Sequence, residues 1–335
     1  MTHYWGFYLV GAVVVALLAS AHRRVEGRRA RVLAVVAIGA GCLVLFGPWL
    51  PTFLYQRAHT GTPWGVAPSP IEVATAMLID FGGGTRPEGQ AGAFFLAALG
   101  VLGLLGRAVD RRHVDLDLHT RPGIRAEAAV AGGALLLAVL VGAATRQGFS
   151  SRYTSIAFPV VVLVAAYGTR SLLDRRAVAG LLALAAGLGC IAGIRNMTTP
   201  RTQAREAAGA IVGNGGRPGD LVVYCPDQLG PDVSRQLPPG FRQVTFPDFA
   251  DPRFVDWVDY EKRMKAASSR SFAREVLRRG EGRTIWLVWN GGYRTLGTSC
   301  ENLTRLIGPA RPDNAQVLAT SPRIGERQSV WRYGP

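Results

Sequence analysis

Residues 133–143 read GALLLAVLVGA. The run carries no charge. Wound at 3.6 residues per turn it is apolar all round, which suits lipid and not the flank of a water-soluble bundle. The same reading applies on either side, to VVVALLAS at 13–20 and LLALAAGL at 181–188. A helix needs about 20 apolar residues to cross a bilayer. Six stretches approach that length, near 4–21, 32–50, 91–109, 126–144, 153–167 and 177–194. Arg107, near the end of the third, can snorkel to the interface. The fifth is the shortest and carries Pro159, which is expected to kink it. Hydrophobicity falls away after Ile194. The expected architecture is therefore a polytopic α-helical membrane domain over 1–195, followed by an extracytoplasmic α/β domain over 196–335.

The net charge is +15, and almost all of it is arginine, the only lysines being Lys262 and Lys265. The arginines form no basic amphipathic face interleaved with aromatics, so no nucleic-acid partner is expected. They sort by loop instead. One set of loops carries Arg23, Arg24, Arg28, Arg29 and Arg31, then Arg107, Arg111, Arg112, Arg121 and Arg125, then Arg170, Arg175 and Arg176. The other set carries only Arg57, Arg86, Arg146 and Arg152. The arginine-rich set should face the cytoplasm. That places the N-terminus, the loops 51–90 and 145–152 and the C-terminal domain outside the plasma membrane. No positive segment precedes the first span and no small-residue cleavage site follows it, so it is not a signal peptide. An outward-facing start so close to a span reads as the later part of a longer membrane protein.

In the loop 51–90, PSPIEVATAMLIDFGGG places Ile71, Ala74, Met77 and Leu78 at helical spacing. It reads either as a surface helix at the outer interface or as a re-entrant packing helix. Pro51 is expected to end the second span. In the tail, DLVVYC, RTIWLVW, AQVLATS and QSVWRY read as strands, and RTQAREAAGAIVG, VDWVDYEKRMKAA and SFAREVLRRG as helices, which predicts a small parallel or mixed sheet. Cys42 and Cys190 lie inside spans as small hydrophobes. Cys225 and Cys300 both lie in the domain expected outside, an oxidising space, and are expected to form a disulfide.

Chemistry is sparse. Asp115, Asp117 and His119 alternate in DLDLH, and charge balance of an arginine-rich loop explains them better than a cation site does. Asp227, Gln228 and Arg235 follow a strand, where α/β sheets hold ligands, although a capped helix start accounts for them more readily. Asn290–Tyr293 is a second such loop, facing the same crevice if the strands are neighbours. No metal-ligand set, phosphate loop or Ser/His/Asp pattern is present. No cofactor follows from the residues, and a divalent cation is left open. Tyr4, Trp5, Trp49, Tyr55 and Trp64 fit an interfacial aromatic belt. Arg57 and Arg152 are cations on the side where cations are scarce. A phosphate is their natural partner, since arginine grips its oxygens as a fork.

HYWGFYLV at 3–10, WLPTFLYQRAHTGTPWG at 49–65, SSRYTSIAFPVVVLVAAYG at 150–168 and PGDLVVYCPDQLGPDVSRQL at 218–237 together carry a resemblance. In their order and spacing they resemble the C-terminal half of GT-C superfamily membrane glycosyltransferases, closest to the protein-mannosyltransferase-like group (glycosyltransferase family 39) in its actinobacterial form. The resemblance implies a hexosyltransferase that takes a sugar from a polyprenyl phosphate and passes it to a hydroxyl of a glycan or protein acceptor at the outer face, among membrane lipids. It implies Arg152, Arg57 and His59 as donor-phosphate contacts, with His3, Tyr4 and Tyr153 lining the entrance. The family's acidic residue in its first outer loop has no counterpart here, so the catalytic group is unassigned and the chain alone is expected to be incomplete and inactive. Two alternatives stand beside this reading. One is a non-catalytic membrane protein whose exported domain binds a glycan or a partner protein. The other is a flippase or transporter, against which the purely apolar span centres argue.

Overall fold

The computed structural model describes residues 4–23, 25–60, 69–145, 151–293 and 295–335. His3, Trp64 and Arg146 lie outside the described residues. Six long apolar helices in the N-terminal region are followed by a mixed α/β domain with a five-stranded sheet. The chain divides into two compact units, one of residues 1–53 and 65–198, the other of 54–64 and 199–335.

In the first unit α1 is Gly6–Arg23, α2 Arg28–Phe46, α3 Leu50–His59, α4 Pro70–Gly82, α5 Pro87–Leu105, α6 Arg125–Thr145, α7 Phe158–Gly168 and α8 Arg175–Thr198. By length and composition the six candidate spans mark a multi-pass membrane protein. Their exposed faces agree with that. Leu43, Val44 and Leu45, successive residues of α2, are 76%, 74% and 82% exposed, which water would penalise and lipid does not. α1 packs against α2 and α6, and α5 packs along α4, α7 and α8. The α5–α7 crossing is the tightest of these in one respect. A Cβ on Gly103 would lie 2.2 Å from the Val164 carbonyl oxygen, and one on Gly168 would lie 2.1 Å from that of Leu99. Only glycine allows that backbone approach, as at many membrane helix interfaces.

Three expectations are corrected here. Pro51 does not end the second span. A single 3-10 turn at Gly47–Trp49 joins α2 to α3, and the apolar helix runs over Arg28–His59. Pro48 and Pro51 both stand in a first turn, where a missing N–H costs nothing. Pro159 likewise does not kink a span but opens α7 after a 3-10 segment at Ser151–Ala157. In α4 the buried positions are Val73 and Met77, while Ile71 is 78% exposed. The helix itself starts where the sequence places it, on a capping box in which Ser69 and Glu72 bond each other's backbone N–H. The arginine-rich segment after α5 forms a short hairpin, β1 Gly106–Ala108 with β2 Val114–Leu116, in which Asp115 stands opposite Arg107. Asp117 accepts from the backbone N–H and the ring of His119 at 2.9 and 3.0 Å, so DLDLH is spent on its own turn.

The second unit adds α9 Ala204–Gly213, β3 Leu221–Cys225, α10 Gly230–Ser234, β4 Arg242–Thr245, α11 Tyr260–Ala266, α12 Ser269–Arg279, β5 Ile285–Trp289, α13 Ser299–Ile307, β6 Asn314–Leu318 and β7 Ser329–Tyr333. The sheet order is β4-β3-β5-β7-β6, with β3 parallel to β4 and β5, and β7 antiparallel to β5 and β6. β3 is buried throughout. Its alternate residues serve two cores. Leu221, Val223 and Cys225 meet Phe272, Val276, Leu303 and Ile307 on one face. Val222 and Tyr224 meet Ala207, Ile211, Leu229 and Val233 on the other. This double burial is why β3 and β5 read as unbroken apolar runs. β4, only four residues and half polar, gave no comparable signal.

Candidate functional site

The parallel strands run β4-β3-β5, so the chain leaves β3 to one side and returns to the other. The crevice beyond the carboxyl ends of such strands is where open α/β sheets hold ligands. Asp227 stands there, two residues past β3, and is 6% exposed. The Tyr260 hydroxyl donates to its Oδ1 at 2.7 Å, and Gln228 Nε2 donates to that hydroxyl at 3.4 Å. Burial pushes the Asp227 carboxyl up to about 6, against the opposing pull of the Tyr260 hydrogen bond and the Arg263 charge. Burial, with the Asp227 charge adding to it, pushes the Tyr260 hydroxyl well above its ordinary value. Tyr293, in the loop after β5, is raised by burial, with the Glu326 and Asp227 charges adding to it. The Asn290–Tyr293 loop therefore shares the Asp227 crevice. Arg235 does not. It pairs with Asp232 at 2.8 Å on the exposed side of α10.

Tyr260 also lines a neighbouring cleft of about 690 Å³, together with Arg57, His59, Trp257, Asp259, Lys262 and Lys265. Residues 54–60 belong to the second unit, and the contacts explain why. Asp259 takes a left-handed conformation at the start of α11, with φ of 50°. Its N–H donates to the His59 carbonyl at 2.7 Å, and both its carboxylate oxygens lie 3.2 Å from His59 Nδ1. Lys262 and Lys265 project from α11 at a spacing that puts them on one face. Lys265 is committed to Glu261 at 2.6 Å. Arg57 and Lys262 make no ion pair among the described residues. The cleft thus offers two unspent cations, an aromatic wall and a histidine fixed from both sides.

The remaining candidates belong to the first unit. Arg152 is exposed, with its guanidinium 5.3 Å over the Tyr153 ring. Tyr153 packs against Trp5 at 5.5 Å. Trp49 Nε1 donates to the Tyr4 hydroxyl at 3.2 Å, and Tyr4 stacks edge-on to Phe53 at 4.8 Å. The candidate cations are therefore divided between two bodies, Arg152 in one and Arg57 with His59 in the other. Cys225 and Cys300 are joined by a disulfide, with Cα atoms 5.5 Å apart, tying the end of β3 to α13. Among the described residues no three His, Cys, Asp or Glu side chains converge as a metal site.

No family model matches the chain, and no curated protein and no solved structure matches it. The reading of the site rests on its own chemistry. Sequence reasoning reached Arg57, His59 and Asp227 but missed Tyr260, Lys262 and Lys265. A signal for the lysines was present. They are the only two in an arginine-rich chain, and they stand three residues apart.

Proposed function

We propose that this chain handles a polyprenyl-phosphate-linked sugar at the outer face of the plasma membrane, as part of a glycosyl-transfer machine that passes the sugar to an acceptor hydroxyl. The observation that carries the reading is the cleft in which Arg57 and His59 meet Lys262. The apolar helix that delivers Arg57 and His59 has 32 residues, about 48 Å at 1.5 Å per residue. A bilayer core is about 30 Å thick. The surplus carries the end of α3 into the headgroup layer, where a lipid phosphate would sit. Arg57 would take two phosphate oxygens as a fork and Lys262 a third, drawing charge from the bridging oxygen as the sugar leaves. The acceptor hydroxyl would attack the anomeric carbon as the carbon–oxygen bond to phosphate breaks, and its proton would pass to a carboxylate. Asp227, with its raised acidity constant, is suited to that near neutral pH.

The orientation belongs to the same proposal. It is supported by the arginine-rich loops on the opposite side and by the disulfide, which favours an oxidising space. The resemblance to protein-mannosyltransferase-like enzymes supports the substrate class.

The test is binding of polyprenyl phosphate to the full chain in nanodiscs. Arg57→Ala with Lys262→Ala should weaken it by about a hundredfold, two charged contacts at about 1.4 kcal/mol each. Arg152→Ala separates the two bodies. A loss there too would tie Arg152 to the same lipid. Unchanged binding in the double variant would exclude the cleft as the phosphate site. Binding without transfer in any assay would assign the chain a carrier or assembly role.

A further inference from the structure

We infer that a second cavity of this unit, beyond the phosphate cleft, is a binding site for a neutral sugar ring. The cavity has a volume of about 380 Å³ and is lined by Asp227, Thr245, Asp248, Phe254, Asp256 and Arg263. It lies at the carboxyl ends of β3 and β4. Its size falls within the range of small-molecule sites, about 300–1,000 Å³.

The lining decides the ligand class. A phosphate or carboxylate would face several aspartates with one arginine among them. A bare metal ion would need ligands that converge, and among the described residues none do. The aspartates are turned outward along Arg263 instead. Its guanidinium bonds Asp248 and the Asp256 carbonyl, its Nε donates to the Val258 carbonyl at 3.1 Å, and its other flank lies 5.9 Å from the Tyr260 ring centre. The charges are thus largely neutralised inside the wall, which leaves little field to reward a cationic guest. What remains is a ring of hydrogen-bond acceptors. A carboxylate already holding one cation keeps lone pairs for hydroxyl donors. Asp227 adds a buried carboxyl whose Oδ1 is held by Tyr260. Over this ring stands Phe254, 71% exposed on an irregular loop. An aromatic face that exposed, beside a polar cavity, has nothing in its own unit to cover it. A sugar ring supplies both complements, hydroxyls at its edge for the acceptors and an apolar C–H face for the aromatic.

This inference does not depend on lipid phosphate or on transfer, and free sugars test it directly. The full chain in sugar-free nanodiscs is titrated with mannose, glucose, galactose and their α-linked disaccharides, read by saturation transfer to the ligand. Glucosamine and inorganic phosphate serve as the charged comparisons. At least one neutral sugar should bind. Phe254→Ala should weaken it about tenfold, the loss of about 1.4 kcal/mol of contact, and Phe254→Trp should restore it. Phe254 is exposed, so neither variant threatens the fold. Transfer to none of the neutral sugars, equal binding by Phe254→Ala, or binding of glucosamine or phosphate alone would each overturn the assignment.

Discussion

At the scale of single residues, Asp227 is the group whose chemistry its surroundings change most usefully. Its carboxyl is moved from the ordinary 3.8 to about 6 by burial. The folded protein therefore holds the proton more tightly than the unfolded chain does. Below about pH 4 both forms are protonated and nothing is lost. Between about pH 4 and 6 stability falls as pH rises, and above about 6 the whole cost, on the order of 3 kcal/mol, is in place. Asp227→Asn should remove that slope while keeping an acceptor for the Tyr260 hydroxyl. Two measurements check it. One is thermal unfolding of the full chain across pH 4–7. The other is an infrared carboxyl band titrating near 6 in the parent and missing in the variant. A parent slope of the opposite sign would show the carboxyl to be stabilised as the anion. Arg311 is a different case, a buried cation satisfied by the carbonyls of Arg283, Gly280 and Gly334 at 3.2, 2.7 and 2.6 Å. It shapes the domain and has no place in the site.

At the scale of elements, two junctions matter. The first is the continuation of α2 through a 3-10 turn into α3. Proline is read in a sequence as a stop, yet here Pro48 and Pro51 stand where helices begin anyway. That continuity brings Arg57 and His59 to α11. The second is the α5–α7 crossing. Gly168→Leu would put a side chain into the Leu99 carbonyl, 2.1 Å from the first carbon added. The helices would have to part, at a cost of about 3 kcal/mol, the upper range of overpacking. Detergent-solubilised variant protein should lose its folded peak at lower temperature than Gly180→Leu, because a Cβ on Gly180 meets nothing within 4 Å.

At the scale of the whole molecule, the disulfide closes a span of 75 residues. Chain-entropy arguments assign such a loop about 4 kcal/mol. Cys225→Ser with Cys300→Ser should therefore lower the unfolding midpoint of the α/β unit and leave the helical unit in the membrane. The measurement is limited proteolysis of membranes, in which residues 199–335 should be digested faster than in the parent. Equal protection would show that the two cores around the sheet suffice. The same membranes report sidedness, since protease added outside intact cells should reach that unit before it reaches the arginine-rich loops.

The sequence alone determined the large features. A helix apolar all round has one comfortable solvent, so GALLLAVLVGA and its neighbours declared the spans. Strands buried on both faces must be apolar without interruption, so LVVYC and IWLVW declared the sheet. It also marked Asp227, by its place after a strand, and Arg57, by the scarcity of cations around it. The tertiary structure alone decided which of these meet. Lys262 and Lys265 join Arg57 only because Asp259 turns left-handed and captures His59, a contact 200 residues apart in the chain. Asp227 acquires its raised acidity only because Tyr260 and the closed crevice exclude water from it. Periodicity records the solvent of each segment. It does not record which distant segments share a cleft, because that depends on packing geometry that no local pattern encodes.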